Sequence, residues 1–575
     1  MTTGSVGAVD PTDRFPEGHY DAIVVGSGFG GSVMTYRLRE AGLRVCLLER
    51  GRAYPPGSFP RSPHAFARAF WDPSEGLYGM YDVWSFDHID AVVSSGLGGG
   101  SLIYANVLIR KDAAWFVRED LDAGGHEWWP VTRSDLDPHY ERAEAMLAAQ
   151  PFPFSDAPYD QTPRTIAFHG AARQLGWQPF TPNLAVTFSN PGESPVPGEP
   201  IKEAHPNLHG LTRTTCRLCG ECDISCNFGA KNTLDYNYLS EATRLGAEIH
   251  TLTEVRRFAP REGGGWTVGF VRHDRAREGR RMDTGRLPVR SISADRLILS
   301  AGALGTTYLL HRNLPRVPPL LGARFSGNGD LLTLIRKPTQ VVEGRRRPIL
   351  IDPGNGPVIT SAVRFPDELE GGTGRGFYVE DIGFPEFVAW MLQVTETPAM
   401  LLRIKRIALR VLRQALGRSP ETNLSAEIAE TFGRPSSAGV LPLAGMGRDV
   451  PDGTLRLRGD RLACDWRIDR SSAYFSRVRG AHEELARALG GELSDNPLWH
   501  LGRRVVTAHP LGGCPMGRDE RTGVVSESGQ VFGYPGLYVA DGSVMPGSVG
   551  PNPSLTIAAL ADRSADRLLA EARVG

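Results

Sequence analysis

The chain has 575 residues, with 64 Lys and Arg against 65 Asp and Glu and a formal net charge of −1. That balance offers no footing for a nucleic-acid surface. The length exceeds one ordinary core and sets an expectation of about two to four domain-sized units. Hydrophobic and charged shares of 41% and 22% are those of a water-facing globular protein. No stretch approaches the roughly 20 apolar residues of a membrane span. The polar first twenty residues, with Asp10, Asp13 and Glu17, do not read as a secretory leader. A cytoplasmic location is the expectation.

The first informative run is Tyr20-Asp21-Ala22-Ile23-Val24-Val25-Gly26-Ser27-Gly28-Phe29-Gly30-Gly31. Ala22 to Val25 read as a buried strand. Met34, Leu38 and Leu43 then interleave with Arg37, Arg39 and Glu40 in a helical pattern, and Val45 to Leu48 form a second apolar run ending at Glu49. Strand, Gly-x-Gly-x-x-Gly, helix, strand and acid stand in the order of a dinucleotide site. Gly26, Gly28 and Gly31 allow a tight turn and close approach of backbone to a pyrophosphate. The helix N-terminus supplies free N–H groups, and Glu49 is placed to accept from ribose hydroxyls. By itself this stretch admits NAD as readily as FAD.

An aromatic-rich segment with Phe66, Phe70, Trp71 and Trp84 follows and reads as buried packing. Next comes Gly98-Gly99-Gly100-Ser101, inside the run Ser94 to Asn106. Consecutive glycines are costly in a helix or strand, so the run points to backbone in close contact with a planar ring or a phosphate. Cys216, Cys219, Cys222 and Cys226 pack four of the seven cysteines into eleven residues. Their spacing is the bacterial ferredoxin run, with Asn227 where a proline would follow. The spacing admits an iron–sulfur cluster, a closed zinc site, or metal-free thiols or a disulfide. Further on, Arg296 to Leu299 read as a strand running into a small-residue turn and a new helix start.

From Leu401 to Arg418 no acid occurs, and Ile404, Ile407, Ala408, Val411, Leu412 and Ala415 recur at helical spacing opposite Arg403, Arg406, Arg410 and Arg413. Such a helix packs with a solvated basic face, or rests on an anionic membrane surface. Near the end stand three short elements in order. They are His509-Pro510-Leu511-Gly512-Gly513-Cys514, then Asp541-Gly542-Ser543, then Asn552-Pro553-Ser554.

Taken together, the N-terminal fingerprint, the Gly-Gly-Gly-Ser run, the His-Pro-x-Gly element, the Asp-Gly-Ser element and the Asn-Pro element resemble the glucose-methanol-choline family of flavin oxidoreductases. The resemblance spans nearly the whole chain. Within the family it is nearest in pattern to the bacterial cholesterol oxidases that hold FAD non-covalently. It implies an α/β fold: a discontinuous Rossmann-type FAD-binding domain at about 18–135, 205–315 and 500–575. A substrate domain on an antiparallel sheet would occupy 136–204 and 316–499. It also implies contacts to FAD from Gly26, Gly28, Gly31, Glu49, Gly98, Gly99, Gly100, Ser101, Asn106, Asp541, Gly542, Asn552 and Pro553, with the backbone of Val255 at the adenine.

The resemblance assigns His509 and Asn552 to the substrate hydroxyl, one handling the proton and the other donating to oxygen. Histidine suits proton work near neutral pH, while the flavin carries the hydride chemistry. Cholesterol oxidases also use a carboxylate base from the substrate domain, for which Glu380 and Asp381 are candidates that no motif anchors. The chain departs from those relatives at Tyr104-Ala105-Asn106, where Asn-Gly-Gly is common. The implied activity is oxidation of a bulky secondary alcohol, foremost a 3β-hydroxysteroid, to the ketone, with Δ5-to-Δ4 isomerisation if the base exists. The alternatives are a dehydrogenase of another hydrophobic, sugar-like or secondary-metabolite alcohol, passing electrons through an iron–sulfur cluster to a protein or quinone, and a non-catalytic relay flavoprotein. Oxygen is the acceptor in the first reading.

Overall fold

The computed structural model describes residues 15–121, 124–385, 439–495, 499 and 503–574. The basic amphipathic stretch at 401–418 lies outside them. Among the described residues no helix is long and apolar enough to cross a membrane.

The chain opens with strand β1 (His19–Val25), helix α1 (Phe29–Glu40) and strand β2 (Val45–Leu48). After the loops, short strands and helices of 49–247 come β3 (Glu248–His250), β4 (Thr253–Pro260), β5 (Trp266–Arg272), β6 (Arg290–Leu299) and α2 (Gly302–Asn313), the longest of the intervening helices being Arg133–Met146. Then follow β7 (Leu331–Arg336), β8 (Ala362–Phe365), β9 (Phe377–Asp381), β10 (Val440–Gly447), α3 (Ser472–Ala488) and β11 (Glu492–Asp495). Strand β12 (Leu537–Val539) and helix α4 (Ser554–Val574) complete the frame.

The first sheet has the order β3-β2-β1-β6-β5-β4, with β12 also paired to β6. The pairs β3/β2, β2/β1, β1/β6 and β6/β12 are parallel, whereas β5 and β4 add antiparallel. A parallel sheet is covered on both faces, so its central strands become continuous apolar runs. Ala22 to Val25 and Val45 to Leu48 are buried throughout. Helix α1 packs against α4, and Arg37 of α1 donates to Asp562 and Asp566 of α4. The Rossmann-type half of the expectation is met.

The second sheet is wholly antiparallel, in the order Pro179–Phe180, β8, β9, β10, β7, β11. Helix α3 covers one face. Its Phe475 and Val478 share a core with Phe377 and Val379 of β9 and Leu441 and Leu443 of β10. Strand alternation sends the next residues the other way, so Tyr378, Ala444 and Met446 meet Trp115 on the opposite face. Glu380 is on that second face, turned toward the segments that follow the first sheet.

Candidate active site

The two glycine runs form one cradle. A Cβ at Gly30 would lie 1.6 Å from the Ala540 carbonyl oxygen, and one at Gly31 only 1.9 Å from that of Gly26. Gly26 itself holds φ at +96°. These three are demanded by the packing of β1, α1 and the 540–543 segment. Gly28 and Gly100 are not: a Cβ at either meets nothing within 4 Å. Glycine there serves close approach of something other than protein. Gly99, at φ +51°, brings the second run against the first, where its Cβ would sit 2.5 Å from the Gly28 Cα.

Ser27 laces the runs together. Its hydroxyl donates to Glu49 at 2.6 Å and accepts from the Gly98 N–H at 3.0 Å. Glu49, buried at the end of β2, also accepts from the N–H groups of Ser27 (3.0 Å) and Gly51 (2.8 Å). Its backbone bonds to His250 and Thr253 bring the start of β4, with buried Val255, alongside. Asp541 accepts from the N–H groups of Ser543 and Gly302, both at 2.9 Å, and from the Thr306 hydroxyl at 2.5 Å, tying α2 to the 540–543 segment. Burial pushes the Asp541 carboxyl up. No side chain caps the N-terminus of α1, which leaves its first N–H groups and dipole for an anion. The buried hydroxyls of Ser95 and Ser300 and the Asn552 Oδ1 have no protein partner. Open glycines, an uncapped helix start and inward polar atoms fit a dinucleotide such as FAD.

At the boundary of the two sheets the side chains converge. Asn552 Nδ2 donates to Glu380 Oε2 at 3.4 Å. Glu380 is fully buried; burial lifts its carboxyl to about 8, the Asn552 bond works against this, and the charges of Asp381 and Asp330 add to the rise. Partly exposed His509 places Nδ1 2.8 Å from Asp330 Oδ1. A buried carboxyl poised near neutrality beside an amide can take up and return a proton.

The structure separates the two candidate carboxylates. Asp381 receives Arg164 Nε at 2.7 Å with both side chains wholly buried, and accepts from the Thr360 and Ser361 N–H groups at 2.9 and 2.7 Å. Asp381 thus ties Arg164 to the Thr360–Ser361 backbone. Glu380, one residue earlier, has no cation against it. Period-two alternation across Phe377 to Asp381 carried that distinction.

The four cysteines line a small pocket together with Glu221 and Lys231. All are free thiols, and among the described residues no three of their sulfurs gather within 4.8 Å. A zinc tetrahedron draws its thiolates closer than that. Burial raises the Cys216 and Cys219 thiols. Lys231 Nζ donates to the carbonyls of Leu102 (3.0 Å), Tyr104 (2.8 Å) and Cys222 (2.6 Å), stitching this loop to the glycine run at 98–101. Asn106 is buried at φ +70°, and both polar atoms of its side chain lack a protein partner.

Models described as GMC oxidoreductase match residues 211–313 and 480–561, and one described as an NAD(P)-binding Rossmann-like domain matches 24–57. The chain is 29% identical to a cholesterol oxidase of Mycobacterium tuberculosis, across 95% of this chain and 90% of that protein. It is 27% identical to paromamine 6'-oxidase of Streptomyces fradiae, across 95% and 90%. The solved structure of pyridoxine 4-oxidase from Mesorbium loti shares the fold, with a TM-score of 0.53 at 18% identity over 96% of this chain and 99% of that one.

Proposed function

The chain belongs to the GMC oxidoreductase family and is an oxidoreductase of CH–OH donors, and from that premise we propose that its substrate is a bulky secondary alcohol, foremost a 3β-hydroxysteroid. The similarity to a cholesterol oxidase supports the steroid. The observation that carries the reading is the buried Glu380 carboxyl facing the Asn552 amide, with Asp330, the partner of His509, near enough to help raise that carboxyl. In this reading 18–135, 205–315 and 500–575 hold the cofactor, and 136–204 and 316–499 shape the substrate pocket.

Bound FAD supplies the hydride acceptor. Gly26, Gly28, Gly31 and Gly98 to Ser101 would hold its phosphates and ring, Glu49 and Val255 its adenosine end, and Asp541, Gly542 and Pro553 the stretch between. His509 takes the hydroxyl proton as the carbon–hydrogen bond breaks. Asn552 donates to the oxygen and keeps the reacting carbon oriented. Glu380, with its carboxyl raised to about 8 and so mostly protonated at neutral pH, can in its ionised fraction remove the proton next to a new ketone and return it two carbons away, which is Δ5-to-Δ4 isomerisation.

Anaerobic bleaching of the flavin by a panel of alcohols tests this. Bleaching by cholesterol that is lost in His509→Ala supports it. Bleaching by aminocyclitols or sugars alone moves the substrate to that class, and no bleaching with flavin intact leaves a relay flavoprotein. The four-cysteine loop, tied through Lys231 to the glycine run, supports a second reading of where electrons go: an iron–sulfur cluster held by Cys216, Cys219, Cys222 and Cys226 that hands them to a protein or quinone rather than oxygen. Anaerobic preparations with fewer than about two irons and two sulfides per flavin would sink it.

A further inference from the structure

The loop Ser326-Gly327-Asn328-Gly329-Asp330 leads into β7 and reaches both halves of the pair at 509 and 552. We propose that this loop is the positioning element of the site, with Asp330 setting the ring of His509 and Asn328 setting the backbone that carries Asn552. The inference rests on the reading of His509 and Asn552 as the residues that face the hydroxyl, and adds two residues that belong to no motif.

Asp330 is buried, and its two oxygens are used differently. Oδ1 takes the imidazole Nδ1 at 2.8 Å. Oδ2 accepts from the Thr507 hydroxyl at 2.8 Å and the Ala508 N–H at 3.0 Å, so the carboxylate cannot swing away from the ring. The Thr507 oxygen in turn accepts the His509 N–H at 2.9 Å. An ionised carboxylate only accepts. The Nδ1 position must therefore carry a proton, and Nε2 is the nitrogen left basic. Asp330 sets the tautomer and the ring plane without touching substrate.

Asn328 is wholly buried and adopts φ +55°, a left-handed conformation that asparagine tolerates better than most residues. Its Oδ1 accepts from the N–H groups of Val549 (3.0 Å) and Gly550 (2.9 Å). Its Nδ2 donates to the carbonyls of Gly550 (3.2 Å) and Pro551 (3.1 Å). An amide has two donor and two acceptor positions, and all four are spent on the three residues before Asn552. From the other side buried Lys111 donates to the carbonyls of Ser548 (2.8 Å) and Val549 (3.0 Å). The loop itself is anchored where the Tyr474 hydroxyl of α3 donates to the Gly329 carbonyl at 3.0 Å.

Double-mutant cycles on the flavin-loaded enzyme, read as the rate of flavin reduction by cholesterol, test the proposal. Asp330→Asn is expected to slow reduction by about 10²-fold with KM unchanged. In a His509→Asn background it should cost less than about 3-fold, because its partner is already gone. Asn328→Asp should likewise cost about 10-fold alone and little in an Asn552→Ala background. In flavin-free protein labelled with ¹⁵N-histidine, the His509 signal should show the Nδ1–H tautomer, and Asp330→Asn should mix it. Losses of equal size in both backgrounds, or an unchanged tautomer, overturn the proposal. If His509→Asn itself leaves reduction intact, the function reading fails instead. Should Asp330→Asn not retain flavin, Asp330→Glu enters the same cycle. If neither variant retains it, the loop serves folding and the proposal fails.

Discussion

The two sheets reach the site by different physics. The first delivers backbone: Gly26, Gly30 and Gly31 exist so that β1, α1 and the 540–543 segment can touch, and Gly28 and Gly100 so that a ligand can. The second delivers buried charge, with Glu380 and Asp381 adjacent on β9 and sent to opposite faces. An error in the first region is steric and admits no compromise, because backbone cannot rotate out of the way. An error in the second is electrostatic, and its size depends on what is left unpaired.

The sharpest break of that contrast is Gly30→Ala. Its methyl would fall 1.6 Å from a carbonyl oxygen of the segment it must pack on, so no flavin-bearing protein is expected, as read by the absorbance ratio after purification. Flavin at wild-type stoichiometry would refute the steric account. Next is Asp381→Asn, which strands the Arg164 charge among buried groups. It should cost about 3–5 kcal/mol in urea unfolding, the range for breaking one side of a buried pair.

Glu380→Gln, one residue away, should not show that loss, and its effect depends on pH. The folded carboxyl is raised from 4.5 to about 8, first by burial. Between those values the unfolded chain ionises while the folded one does not, so wild-type stability falls as pH rises through this window. The glutamine variant lacks the term. Its Tm relative to wild type should therefore be higher at pH 8 than at pH 5, and a constant difference would contradict a buried neutral acid. The smallest effect on folding belongs to Gly28→Ala. With open space around it and φ at −67°, the apoprotein should change by less than about 1 kcal/mol. Flavin affinity should still drop, and unchanged affinity would place the ligand elsewhere.

The same difference decides what could be read from residue order. A backbone cradle has to be written as neighbouring glycines, so Gly26 to Gly31 and Gly98 to Gly100 declare themselves, as do the short elements around His509 and Asn552. Ser27 as the staple between the two runs, by contrast, follows only from their meeting in space. Asp330 and Asn328 carry no local signature, because their meaning lies in partners at 507–509 and 549–551, on the far side of β8 to β11. The choice between Glu380 and Asp381 was open to period-two reasoning once β9 was recognised.

One strand has a consequence for how the molecule is made. The first half of β6 lies against β5, and its second half is flanked by β1 and by β12 at 537–539. At typical elongation rates β12 is synthesised on the order of a minute or less after β1. From the synthesis of β6 until then, one edge of Leu297 to Leu299 has no strand to pair with. Such an edge invites pairing with other nascent chains. The glycine turn, which packs on Ala540 and is tied through Asp541 to Gly302, is therefore complete only once the last tenth of the chain has been made.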